Sequence, residues 1–184
     1  MREIEVKARI SNLPALVEAL AGQGIVLSRP VTQHDRVYGV SGVDGGSSTS
    51  TPWLRIRTET NATGVTHYFT LKKSVTNQLD SIEHEVVVSD DSELLKIIEQ
   101  LDFVPYSDLT KTRRRGHAGR IEICVDHVNG LGDFIEGEIL TDDDADYSQV
   151  VDELWSILSP LGVTQSDQVT DGYDVMMNKQ LGRE

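Results

Sequence analysis

Met1-Arg2-Glu3-Ile4-Glu5-Val6-Lys7, the opening stretch of the chain, sets two carboxylates and an ammonium group against two branched aliphatic side chains. Successive side chains of a β-strand point to opposite faces. Glu3, Glu5 and Lys7 therefore share one face, and Ile4 and Val6 share the other. Two glutamates at this spacing can share a hard cation, and a lysine one step further along can meet a phosphate. A solvated sheet edge has the same appearance when it occurs once.

Here it recurs. Leu54-Arg55-Ile56-Arg57 puts Arg55 and Arg57 on one face, and Tyr68-Phe69-Thr70-Leu71-Lys72-Lys73 puts Thr70 with Lys72. Ile82-Glu83-His84-Glu85-Val86 repeats the carboxylate pair, with His84 turned away. Lys111, Arg113 and Arg115 share a side, as do Glu122 and Asp126, with Ile121, Ile123 and Val125 behind them. Phe134-Ile135-Glu136-Gly137-Glu138-Ile139 gives a third pair of glutamates. One solvated face of an antiparallel sheet explains the period of two, but not the grouping by charge and type. A closed barrel with a charged interior explains both. Like charges crowded there repel unless opposite charges, a metal ion and an anionic ligand neutralise one another. The ligand expected is a polyphosphate bound with a divalent cation.

The chain has 184 residues and a formal net charge of -13. Its length fits one domain, 1–184, with a sizeable core. The acid excess disfavours a general nucleic-acid surface. Part of it is local, in Asp142-Asp143-Asp144-Ala145-Asp146, which reads as a solvated loop. Cys124 is the one cysteine, so no intrachain disulfide and no cysteine-rich zinc site is expected, and its mid-strand place suggests packing. No apolar stretch approaches the ~20 residues that span a bilayer, and no apolar signal region follows the charged start. The expected location is cytoplasmic, without a membrane partner.

Strands are expected at 2–10, near 25–40, and near 53–60, 65–74, 81–89, 103–106, 108–117, 119–128 and 132–140. Asn129-Gly130 forms a turn. Helices are expected at 13–22 (cap Asn12, Pro14 in the first turn), 91–101, 147–160 and 170–180. Leu94, Leu95, Ile97, Ile98 and Leu101 form the apolar face of the second. Residues 41–52, rich in Gly, Ser and Thr, read as a flexible loop. The fold class expected is α+β: a strand barrel with helices packed outside.

Glu3-Ile4-Glu5-Val6-Lys7 resembles the ExExK signature of the CYTH superfamily, the triphosphate tunnel metalloenzymes. The resemblance continues through Asp35 and Tyr38, Arg55 and Arg57, Thr70-Leu71-Lys72, Glu83-His84-Glu85, Lys111-Thr112-Arg113, Asp126, and Gly132 to Glu138. It implies an eight-stranded antiparallel β-barrel around a tunnel that binds triphosphate. The family includes class IV adenylate cyclases, thiamine triphosphatases and inorganic triphosphatases. By this resemblance Glu3, Glu5, Asp126, Glu136 and Glu138 hold Mg²⁺ or Mn²⁺. Lys7, Arg55, Arg57, Lys72, Lys111 and Arg113 cradle the triphosphate, and Lys7, Arg57 and Lys72 carry the catalytic charge. Glu83 and Glu85 orient the basic groups. Structural ion pairs across the barrel are the alternative. Trp53 is a further candidate, either stacking on an organic moiety or serving as a rim aromatic. Asp171-Gly172-Tyr173-Asp174 loosely resembles the Ser-Tyr that opens the family's last helix.

The resemblance implies metal-dependent hydrolysis of a small-molecule triphosphate: tripolyphosphate, thiamine triphosphate or a nucleoside triphosphate. The alternatives are a class IV adenylate cyclase, forming cyclic AMP and pyrophosphate from ATP, and a non-catalytic polyphosphate-binding module. The five histidines receive no catalytic role, and a homodimer is an allowed assembly.

Overall fold

A computed structural model describes residues 1–42 and 51–183. Most of the Gly/Ser/Thr-rich loop expected at 41–52 thus lies outside the described residues. Nine strands and four helices follow one another. The order is β1 (Arg2–Arg9), α1 (Leu13–Gly22), β2 (Val31–Val40), β3 (Trp53–Asn61), β4 (Gly64–Asn77), β5 (Asp80–Val88) and α2 (Asp91–Gln100). Then come β6 (Phe103–Ala118), β7 (Ile121–Val128), β8 (Gly132–Thr141), α3 (Tyr147–Leu158), the two-residue β9 (Gln168–Val169) and α4 (Tyr173–Gln180).

The pairing order is β5-β4-β3-β2-β6-β7-β8-β1, and β1 returns to β5. This closes an eight-stranded antiparallel barrel, as the resemblance implies. Closure is short: Arg2, Glu3 and Ile4 face Ile82, Ser81 and Asp80. Further along, the same edge of β1 pairs with β9, where Lys7 and Ala8 meet Val169 and Gln168. β1 thus serves three neighbours, with β8 along its other side.

Two expectations about the strands need correction. Residues 25–30 are not in a strand, and β2 begins at Val31. The segments at 103–106 and 108–117 are one 16-residue strand. Between them the register to β2 shifts: Val37 faces Ser107 but Tyr38 faces Pro105, leaving Tyr106 as the extra residue of a β-bulge.

α1, α2 and α3 start where capping side chains meet free N–H groups. Asn12 accepts from Ala15 N at 3.1 Å, Asp90 from Ser92 N and Glu93 N, and Asp146 from Ser148 N and Gln149 N. α1 and α3 lie over one side of the barrel. Leu16, Leu20, Leu154 and Leu158 there cover the outward residues Ile4, Val6, Ile123, Ile135 and Ile139. Gly137 permits this packing, because a Cβ there would come within 3.3 Å of Leu154 Cδ2. α2 covers Tyr38, Leu54 and Ile56 through Leu94, Leu95 and Ile98. Its stripe is narrower than expected, since Ile97 and Leu101 are exposed. The larger apolar clusters therefore lie outside the barrel wall, between strands and helices, while a smaller one, with Leu109, Val128 and Phe134, sits on the inner side against α4.

A clamp holds the short β1–β5 seam. Arg2 donates from Nε and Nη2 to both oxygens of Asp80, at 2.7 and 3.0 Å. Its Nη1 donates to the carbonyls of Asp143 and Ala145 in the exposed acidic loop. Thr76 donates to Asp80 from its backbone N and its hydroxyl. Both charges are buried, so removing one partner strands the other. We expect Asp80→Ala to cost ~3–5 kcal/mol in urea unfolding, and an Arg2→Met/Asp80→Leu pair to lose less. A single-variant loss under about 1 kcal/mol would remove the clamp from the account of closure.

Candidate functional site

The inner faces of the strands enclose a cavity of about 430 Å³. Glu3, Glu5 and Lys7 from β1 line it, with Trp53, Arg55 and Arg57 from β3, Lys72 from β4, and Glu83 and Glu85 from β5. Lys111 and Arg113 from β6, and Glu136 and Glu138 from β8, also line the wall, whereas Asp126, expected among them, does not. Register explains the convergence: Lys7 faces Glu136 and Glu5 faces Glu138 across β1–β8, and Arg113 faces Asp126 across β6–β7.

The cations and carboxylates do not form separate halves. Arg113 donates to both oxygens of Asp126, at 2.8 and 2.6 Å, to Glu138 at 3.3 Å, and to Glu136. Lys111 donates to the same Asp126 at 3.1 Å. Lys7 sits 2.9 Å from Glu5 and 3.3 Å from Glu136. Lys72 pairs with Glu83 at 2.7 Å, and Arg55 lies 3.7 Å from Glu83 and 3.5 Å from Glu85. Asp126 is 1% exposed behind Arg113 and Lys111. Here it orients two cations and lies apart from the carboxylate group that converges on the cavity.

That group is Glu5, Glu136 and Glu138, which offer oxygens all within 4.8 Å of one another. At an effective dielectric near 20, two carboxylate charges at such a distance repel by about 3 kcal/mol. Burial, then the neighbouring Glu3, Glu136 and Glu5, hold the Glu138 carboxyl well above its usual range despite Arg113. Glu136 goes the other way: burial would raise it, but Arg113, Lys7 and Lys111 outweigh burial. Glu5 Oε1 is buried and lies 2.9 Å from Lys7 Nζ. Three hard oxygen donors crowded together, with Glu138 held well above its usual range by its neighbours, fit a divalent cation such as Mg²⁺ or Mn²⁺.

Glu3 stands at the edge of this group. Burial, and then Glu83, push its carboxyl up to about 7. Lys111 is lowered, first by burial and then by Arg113.

The sequence reading missed several lining residues. Asp35 accepts two hydrogen bonds of 2.7 Å from Arg57, and this ion pair, outweighing burial, holds its carboxyl far below the usual range. Arg115 and Glu122 extend the same alternation, lie 3.3 Å apart and line the cavity. Their two-residue spacing from Arg113 and Cys124 was the available signal. Cys124 also faces inward: it donates weakly to Glu122 at 3.4 Å, and burial followed by Glu138 raises its thiol strongly. Its complete burial fits the expected packing role, on the inward face of β7. Tyr173 and Asp174 reach the cavity from α4, a placement that no local pattern encodes. Trp53 lies 4.8 Å from Tyr106 between ring centroids, against Gly39, where any Cβ would come within 2.8 Å of the indole. His84 is exposed.

A family model described as the CYTH domain matches residues 1–173. The chain belongs to the CYTH family. A Methanocaldococcus jannaschii protein named as a candidate adenylate cyclase is 27% identical over 173 residues, covering 94% of this chain and 97% of the relative. Among solved structures, the PH1819 protein of Pyrococcus horikoshii superposes with a TM-score of 0.82 at 24% identity, covering 96% of this chain and 99% of that one. A Hippeastrum protein, named as a candidate adenylyl cyclase and described as having a dominant triphosphatase activity, gives a TM-score of 0.57 at 16% identity, with 89% of each chain covered. CYTH enzymes are metal-dependent and bind triphosphates, and they include adenylate cyclases and triphosphatases. Among the described residues, no helix of this chain is long and apolar enough to cross a membrane.

The Glu3 shift has a measurable consequence. Its folded value of about 7 lies above the ordinary 4.5. The protonated acid therefore supports the fold below pH 4.5, and that support is lost as pH rises through 7. In chelator, Glu3→Gln should raise the melting temperature at pH 8 by at least ~2 °C, the shift that about 1 kcal/mol produces in a chain of this size. At pH 5 it should change little. Equal shifts at both pH values would show that Glu3 is not held protonated.

Proposed function

We propose that this chain is a metal-dependent triphosphatase whose barrel interior binds a small-molecule triphosphate and transfers its terminal phosphoryl group to water. One observation carries the reading: cations of four strands, β1, β3, β4 and β6, converge on the cavity that the Glu5, Glu136 and Glu138 carboxylates also enter. A pure anion binder has no need of the carboxylate group.

In this reading Glu5, Glu136 and Glu138 hold a divalent ion, with Glu3 beside them once it loses its proton. When bound, the ion supplies charge neutralisation at the phosphate oxygens and activation of water. The chain's own residues do the rest. Lys7, Arg57 and Lys72 offset charge on the phosphoryl oxygens as the terminal P–O bond breaks. Arg55, Lys111 and Arg113 hold the remaining phosphates. Asp35, Asp126 and Glu83 keep Arg57, Arg113 and Lys72 aimed inward, at 2.6–2.8 Å. Water adds to the terminal phosphorus, the bond to the bridging oxygen breaks, and orthophosphate leaves with a diphosphate. The dominant triphosphatase activity described for the Hippeastrum relative supports hydrolysis.

The name of the Methanocaldococcus jannaschii relative favours a second reading, adenylate cyclisation. The same cradle would hold ATP, with ribose oxygen attacking the α-phosphorus. Products separate the two. With tripolyphosphate, ATP and thiamine triphosphate as substrates, we expect orthophosphate. Cyclic AMP with pyrophosphate from ATP would establish the cyclase instead. Activity should vanish in excess chelator, and Glu138→Gln should lower kcat by ~10²-fold or more. Full turnover in chelator would overturn the metal assignment.

Trp53 tests the organic moiety. Its indole is braced by Tyr106 and Gly39 yet lines the cavity. Trp53→Ala should weaken an organic triphosphate by roughly 1–3 kcal/mol, by analogy with base stacking, and leave tripolyphosphate nearly unchanged. Equal losses would mean that the indole only supports the neighbouring Arg55.

A further inference from the structure

Tyr173, the first residue of α4, carries a polar group that its contacts leave unexplained. The residue is 7% exposed, and its hydroxyl is buried without a hydrogen-bond partner. The ring itself is well packed. It meets Phe134 edge-on at 5.0 Å between centroids and joins Leu109, Val128, Leu131 and Met176 in an apolar cluster beside the cavity. Lys7 Nζ lies 4.3 Å and Lys111 Nζ 4.8 Å from the ring centroid. A phenylalanine would fill the same space and receive the same ammonium groups, without burying an unpaired hydroxyl, which is a cost to the folded protein. Tyr173 also lines the cavity, beside Lys7 and Lys111.

We propose that the Tyr173 hydroxyl donates a hydrogen bond to a phosphate oxygen held between Lys7 and Lys111, making α4 a contributor to substrate binding. The assignment rests on the triphosphate reading given above. It adds a neutral donor to a site otherwise built from full charges. A phenol contributes direction without further charge, and it sits on a short helix outside the barrel ladder. The floor of the cavity and one of its ligand contacts are then the same side chain. The pairing of β9 with β1 and the bond from Gly172 N to Gln78 Oε1, at 2.6 Å, fix the approach of α4.

The test is Tyr173→Phe, with Met176→Leu as a control for the apolar floor. The probe is a tripolyphosphate whose bridging oxygens are replaced by imido groups, which resists hydrolysis, titrated calorimetrically in Mg²⁺. Tyr173→Phe should raise the dissociation constant about 10- to 100-fold, the loss expected for a hydrogen bond to a charged acceptor. The melting temperature of its ligand-free form should stay unchanged or rise, because the orphaned hydroxyl is gone. Met176→Leu should bind as the parent does. If the parent binds and Tyr173→Phe binds equally well, the Tyr173 assignment fails and the triphosphate reading stands. Equal losses in both variants would assign the effect to packing and overturn the proposal. No binding by the parent would sink the triphosphate reading itself.

Discussion

Arg113 sits inside the barrel wall with its guanidinium shared among Asp126, Glu136 and Glu138. Much of the structure follows from keeping that charge, and the others around it, out of bulk water. A buried ion pair repays its desolvation only when geometry is good and the remaining hydrogen-bonding groups are satisfied. The strands meet this demand by placing opposite charges at facing register positions, as in Arg57 with Asp35 and Lys72 with Glu83. With most of the inner face committed to charge, most of the apolar burial occurs on the outer face. That is why α1, α2 and α3 pack outside, and why Gly137 leaves room for Leu154.

The balance is incomplete in one region. Arg113 and Lys7 can neutralise part of the charge of Glu5, Glu136 and Glu138, but Glu138 and Glu3 are still driven towards their protonated forms. A proton and a divalent cation are alternative ways to relieve the same repulsion. The cations face the complementary situation, since each already has a carboxylate partner. An entering triphosphate must therefore replace or share those partners. A polyanion that arrives with a divalent ion disturbs the total charge least, and it leaves Asp35, Asp126 and Glu83 in place to hold the cations' direction.

Fold similarity persists at 24% identity with the Pyrococcus horikoshii protein and at 16% with the Hippeastrum protein. An alternating inner face needs charge sign and register more than particular outer residues, and the outer layer tolerates exchange among apolar side chains of similar volume.

The sequence by itself determined the strand faces and the charged character of the barrel interior. Alternation at Glu3, Glu5 and Lys7, at Arg55 and Arg57, and at Glu136 and Glu138 has a strict period of two. A one-residue slip would turn every charge outward, so the pattern specifies its own register. It could not show how the charges pair. The resemblance that groups Asp126 with Glu136 says nothing of Arg113 reaching across to take both oxygens of Asp126, because that contact depends on side-chain length and barrel curvature. Nor could it place Asp35 opposite Arg57, or merge 103–106 with 108–117 across the bulge at Tyr106. Tyr173 is the clearest case. Its ring lies beneath Lys7 and Lys111, which are remote from it in sequence, and only the closed barrel, with β9 paired to β1, brings the start of α4 to that position. Local periodicity reports the face on which a side chain lies. Which partners meet on that face is decided by contacts between distant segments, and only the tertiary structure sets those.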